Sequence, residues 1–120
     1  MQRELSEAQI RSVIKNHEFD ESIIGSNKNV AIVMTQSWCW QWRMAKEWIA
    51  SVSDISELDI YTVVYDNKGF YEDFLDFKEN IFGNYEIPYI RYYIDGKLIG
   101  ESNYVPKDSF LETFQINLNK

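Results

Sequence analysis

Ser37-Trp38-Cys39-Trp40-Gln41-Trp42 follows directly on the run Val30-Ala31-Ile32-Val33-Met34-Thr35, and the join between these two segments decides how the chain is read. The first run is short, apolar and rich in β-branched residues, which predicts a central strand buried on both faces. Beyond the join, Trp42, Ala45, Ile49 and Val52 fall on one helical stripe running to about Ser53, while Arg43, Lys46 and Glu47 fall on other faces. The only cysteine of the chain therefore sits where a strand gives way to a helix.

Upstream, Ser6 and Gln9 have capping-box spacing and Ile10, Val13 and Ile14 recur at helical intervals, so a helix is expected over Ser6 to His17. His17 reads as a helix-end residue near the negative end of the dipole rather than as a catalytic one. Phe19 to Gly25 predicts a short second helix with Phe19, Ile23 and Ile24 inward. Downstream, Leu58 to Tyr65 predicts another strand, and Asp66-Asn67-Lys68-Gly69 a turn. Phe70, Phe74, Phe77 and Ile81 then mark the core face of a helix ending before Gly83. Tyr89 to Ile94 and Lys97 to Ser102 predict two strands joined at Asp95-Gly96, a pair suited to the positive φ of a type I′ turn. Pro106 opens a terminal helix with Phe110, Leu111, Phe114 and Leu118 on its apolar face.

The expected order is helices, strand, helix, strand, helix, hairpin, helix. A strand-helix-strand unit requires a parallel pair and the hairpin adds antiparallel strands, so the fold class is α/β, a mixed sheet with helices on both faces and an N-terminal helix. With 120 residues, 45% of them hydrophobic, the chain has enough apolar surface for one core and no room for a second, so residues 1–120 read as one domain.

Nineteen acidic against twelve basic residues give a net charge of -7, which argues against a nucleic-acid partner, since phosphate binding depends on clustered Lys and Arg. The N-terminal stretch has no apolar run of signal or membrane-span type, so the reading is cytoplasmic with no membrane partner. A lone cysteine fits a reducing compartment and has no second thiol in the chain to pair with. With one Cys and one His, no metal site and no cofactor are expected.

From Phe19 onward the chain resembles thioredoxin. The family places Trp-Cys-Gly-Pro-Cys between its first central strand and the next helix, where this chain has Trp38-Cys39-Trp40-Gln41-Trp42. An Ile-Pro pair with a cis peptide opens the family's hairpin, matched by Ile87-Pro88, and its turn glycine is matched by Gly96. Each match is weak alone, but their order and spacing are specific. The departures are equally plain. Trp42 stands at the second cysteine, Val33 at the family's buried acid, Thr62 near the lysine facing that acid, and Tyr104 at a later glycine. The helix Ser6 to His17 either adds to the family pattern or replaces its first strand.

The resemblance implies a site made of Cys39 with Trp38, Trp40, Ile87, Pro88 and Tyr89 as a groove for substrate or partner. Cys39 at the mouth of a helix lies near unsatisfied N–H groups that favour a thiolate, and Arg43, four residues on, would add positive charge. The opposing expectation is a buried, inert thiol packed as a small hydrophobe. Trp42 cannot perform the attack by which a second thiolate releases a mixed disulfide. The chain accordingly reads as a monothiol thiol-disulfide oxidoreductase or redox-switch protein, whose partner is a protein or a low-molecular-weight thiol or disulfide supplied from outside. The alternative is a redox-inactive adaptor or chaperone-like module using the Trp and cis-proline groove. Iron–sulfur ligation in the manner of monothiol glutaredoxins is disfavoured by the bulk of Trp40.

Overall fold

The computed structural model describes residues 1–117. Ten elements follow one another: β1 (Gln2–Glu4), α1 (Glu7–Asn16), α2 (Glu21–Ile24), β2 (Asn29–Thr35), α3 (Trp40–Val52), β3 (Leu58–Val64), α4 (Tyr71–Asn80), β4 (Tyr89–Ile94), β5 (Lys97–Ser102) and α5 (Lys107–Thr113). The five strands form one sheet in the order β1-β3-β2-β4-β5. β1 and β2 run parallel to β3, whereas β4 is antiparallel to β2 and β5 to β4. The mixed sheet expected from the order of elements is thus present, with one strand more than the sequence reading contained.

That extra strand, β1, stands ahead of α1, so the N-terminal helix does not replace a first strand. Gln2, Arg3 and Glu4 are all exposed and polar, which leaves no apolar alternation to read. The strand is held by its backbone instead: Leu5 N donates to Thr62 O at 3.0 Å and Ile60 N to Met1 O at 2.7 Å.

Period-two alternation along the central strands divides the core in two. Val30, Ile32, Met34, Tyr61 and Val63 face α1, α2 and α4, where Ile10, Val13, Phe74 and Phe77 meet them. Ala31, Val33, Ile60, Ile90 and Tyr92 face α3 and α5, where Trp42, Ile49, Phe110 and Phe114 meet them. A buried tryptophan such as Trp42 withdraws about 200 Å² from water, a gross gain on the order of 5 kcal/mol. Local signals agree with this packing. Ser6 and Gln9 form a reciprocal capping box on α1 and His17 closes it in the left-handed region. Asp95 and Gly96 have φ of 52° and 76°, the positive pair the hairpin turn requires.

One core assignment needs correction, and another lies outside the described residues. Ile81 is 49% exposed, because α4 stops at Asn80 and the chain turns away before the stripe completes another turn. Its place is taken by Lys78, which sits one turn beyond Phe74 and is buried. α5 stops at Thr113, and Gln115 has a φ of 61°; Leu118, the last residue assigned to that helix's apolar face, lies outside the described residues.

A polar network crosses the α1–α2–α4 side of the sheet. The Arg91 guanidinium, on a residue 7% exposed, donates to Tyr93 Oη at 2.9 Å, Tyr89 Oη at 3.0 Å and Glu18 Oε2 at 3.0 Å. It also stacks 4.0 Å over the ring of Phe82. Burial pushes the Tyr89 phenol up to about 12 and the Tyr93 phenol higher, so both remain neutral partners. Glu18 is the one carboxylate in the network that neutralises a buried cation, while its own side chain keeps partial access to water. Removing the counter-charge should therefore cost more than removing the cation. Glu18→Ala is expected to destabilise the fold by about 3 kcal/mol in urea unfolding, and Arg91→Met by clearly less; the reverse order would contradict this account of the network.

Candidate functional site

β2 ends at Thr35, paired with Val64 at the end of β3, and Met34 lies opposite Tyr89 at the start of β4. Parallel pairing on one side and antiparallel pairing on the other bring three chain segments to the same edge of the sheet: residues 36–39, Asp66 and the Ile87-Pro88 loop. Cys39 is the N-cap of α3, with φ -71° and ψ 117°, and its side chain makes no capping hydrogen bond. Its sulfur, on a residue 5% exposed, lies 3.9 Å from the carbonyl oxygen of Ile87. The Ile87-Pro88 peptide is cis.

Beneath the sulfur the surroundings are apolar. Cys39 packs in the cluster that holds Ala31, Val33, Trp42 and Ile90. Val33 and Thr62 are register partners on β2 and β3, so no carboxylate or lysine occupies these two positions. Among the described residues the only hydrogen-bond contact of the Cys39 side chain is the Ile87 carbonyl, and no cluster of three or more His, Cys, Asp or Glu side chains is arranged to hold a metal ion.

The segment leading to Cys39 is fixed by side chains that the sequence reading did not single out. Ser37 donates to Asp66 twice, from its N–H to Oδ1 at 2.7 Å and from its hydroxyl to Oδ2 at 2.5 Å. Burial works against the Asp66 charge, but the Ser37 hydrogen bonds outweigh it and hold the carboxyl below its ordinary value. Gln36 bridges inward and outward: its amide nitrogen donates to the buried Tyr65 hydroxyl at 3.3 Å, and its amide oxygen accepts from Trp38 Nε1 at 2.6 Å. Burial raises the Tyr65 phenol, which stays a neutral partner. An Asp following the second parallel strand was the one legible hint of this tether, since that strand must end beside the first.

The three tryptophans separate by environment. Trp42 is 4% exposed and belongs to the core, whereas Trp38 and Trp40 are 62% and 65% exposed on either side of Cys39. A cleft of about 460 Å³ is lined by Gln41, Glu86, Ile87, Asn103 and Tyr104. Another, of about 490 Å³, lies against Gln36, Ser37, Trp38 and Asp66.

Two residues expected at the site lie elsewhere. Tyr89 is fully buried on the opposite face of the sheet, its hydroxyl bonded to Glu101 at 2.8 Å and to Arg91, so it does not extend the rim of the groove. The alternation of β4 sends it there, because Ile90 takes the Cys39 side. Arg43 is exposed and lines a cleft with Gln2, Glu4 and Lys46 on the β1 side of α3, while the sulfur is directed to the Ile87 side.

No protein-family model matches the sequence, and no curated protein is similar to it. Solved structures do match. Thioredoxin O2 from Arabidopsis thaliana in its oxidised state superposes with a TM-score of 0.68 at 18% identity, over 96% of this chain and 95% of that one. Thioredoxin F from spinach chloroplast gives 0.59 at 17% identity, over 95% and 84%. A thioredoxin mutant from Halobacterium salinarum gives 0.61 at 13% identity, over 77% and 76%. The chain has the thioredoxin fold. Its single cysteine stands at the strand-to-helix join of that fold.

The Asp66 tether makes an acid transition readable. A carboxyl lowered in the folded state contributes fully above its ordinary value of 3.8 and loses that contribution as pH falls through the lower, folded value. Trp38 emission, isolated by difference from Trp38→Phe, is expected to hold steady through pH 4 and change below it. Asp66→Asn should abolish that step; an unchanged step in the variant would contradict the tether.

Proposed function

We propose that this protein is a monothiol thiol-disulfide oxidoreductase or redox switch acting through Cys39, with an external thiol completing each exchange. The observation that carries this reading is the placement of the one sulfur at the mouth of α3, 3.9 Å from the Ile87 carbonyl and between two exposed tryptophans. The first-turn N–H groups of α3, which have no helical acceptors, provide a positive field for developing sulfur charge.

The exchange balances with two thiols and one disulfide. Cys39 thiolate attacks one sulfur of a partner disulfide, forming a Cys39 mixed disulfide and releasing the other sulfur as thiolate, which takes up a proton. An external thiolate then attacks the partner's sulfur in that mixed disulfide, forming a new disulfide and returning Cys39 as thiolate. Electrons come from the external thiol, a small thiol or a partner protein. Trp42 stands where a resolving cysteine would be needed to do without it. Trp38 and Trp40 offer apolar contact to the partner segment, and the main chain at Ile87 offers strand-type hydrogen bonds.

A second reading, a binding module without turnover, draws on the same exposed tryptophan pair and on the lack of any acid beneath the sulfur. The two readings separate on one variant. Incubated with oxidised glutathione, the protein is expected to gain one glutathione per chain by intact mass and to show negligible insulin reduction with thioredoxin reductase. Cys39→Ser should abolish the adduct and the cellular function alike. Robust turnover with the reductase, or full function in Cys39→Ser, would sink the monothiol reading.

A further inference from the structure

The loop over residues 81–88 connects α4 to β4 without regular structure of its own, yet it carries half of the site. Lys78, in the last turn of α4, is 1% exposed and directs its ammonium to the carbonyl oxygen of Asn84 at 2.9 Å. An ammonium withdrawn from water is costly unless it is well bonded, so its placement under this loop is not that of a residue held by chance. The Asn84 and Asn103 side chains form a reciprocal amide pair, each nitrogen 3.2 Å from the other's oxygen. Asn103 Nδ2 also lies 3.1 Å from both Glu86 O and Pro88 O, and Glu86 N donates to Asn84 Oδ1 at 3.0 Å. Two amide protons are shared among three acceptors, which makes this a convergent site rather than a single bond.

The pattern of what these groups leave alone is the decisive feature. The carbonyls of Glu86 and Pro88, on either side of Ile87, are taken up by Asn103. Among the described residues, the Ile87 N–H has no protein acceptor, and the Ile87 carbonyl has only the Cys39 sulfur near it. Backbone groups on a partly buried residue are ordinarily paired, so a main chain held by its neighbours and left open at one residue is prepared for a strand from outside.

We propose that Lys78, Asn84 and Asn103 are positioning residues that clamp this loop and present the Ile87 main chain to an extended peptide partner of Cys39. The inference rests on the monothiol reading for its partner and on the hydrogen-bond pattern for the clamp. None of the three side chains touches the sulfur; they act through the loop. Small reagents need only the sulfur, whereas a peptide needs both the sulfur and the open edge, and this difference separates positioning from a general loss of the site.

The test compares the wild-type chain with Asn103→Ala and Lys78→Met, each checked for folding by circular dichroism. Cys39 is reacted with 5,5′-dithiobis(2-nitrobenzoate) and with a capped five-residue cysteine peptide activated as its 2-nitro-5-thiobenzoate mixed disulfide, and the released thiolate is followed by absorbance. The peptide rate is expected to fall about tenfold in each variant, the effect of losing roughly one well-placed hydrogen bond, with the small-reagent rate within about twofold of wild type. Unchanged peptide rates, or both rates falling together, would overturn the clamp. If the wild-type thiol reacts with neither probe, the monothiol reading fails, and the clamp is judged by hydrogen exchange at the Asn84 and Glu86 amides. Faster exchange there in folded Asn103→Ala or Lys78→Met supports the clamp, and unchanged exchange overturns it.

Discussion

β2 is paired on one side with a strand running its own way and on the other with a strand running against it, and everything at the site follows from that arrangement. Parallel pairing with β3 delivers Asp66 to the edge where β2 ends, and antiparallel pairing with β4 delivers Pro88 to the same edge. The short crossing from Thr35 to the first turn of α3 then reaches both sides, Ser37 bonding Asp66 and the Cys39 sulfur lying 3.9 Å from the Ile87 carbonyl. The pairing is secured by the burial of β2 on both faces: all seven of its residues are buried, and a one-residue slip would exchange the sets that face α3 and α4. The site is in this sense a property of the sheet, and the loops are trimmed to it by Asp66 on one side and Asn103 on the other.

How much of this was legible depended on whether a residue's neighbours were near in sequence. Val30 to Thr35, the helical stripe of Trp42, Ala45, Ile49 and Val52, and the Asp95-Gly96 turn are local patterns with a physical period or a required φ, and they lie where the pattern places them. β1 escaped because its three exposed polar side chains carry no period, its hold being backbone to a strand more than fifty residues away. Ile81 was assigned inward because a stripe does not say where its helix stops. The same stripe offered Lys78 at the position after Phe77, one turn beyond Phe74, and a lysine on that face was the available sign of a buried ammonium with work to do. Tyr89 was assigned to the groove by adjacency to Pro88, although strand alternation turns it to the far face.

The chemistry left to the sulfur is narrow and definite. An apolar bed of Val33, Trp42 and Ile90 places no acid or base beneath the sulfur, so in the proposed exchange the proton lost when the Cys39 thiol ionises and the one taken up by the released thiolate both pass through solvent or the partner. The aromatic content around the thiol is divided between core and surface, with Trp42 inside and Trp38 and Trp40 outside. Trp38 is additionally oriented by Gln36, which is anchored in turn on Tyr65, so its indole is presented in a set direction rather than left to swing.

The central claim is that the small exposed part of Cys39 is a working surface and not the tip of a packed core residue. Alkylation by iodoacetamide at neutral pH, followed by intact mass for the native chain and for the same chain unfolded in urea, tests it most directly. The account predicts that the native thiol reacts at least as fast as the unfolded one. A native thiol that stays unmodified until the chain unfolds would contradict it.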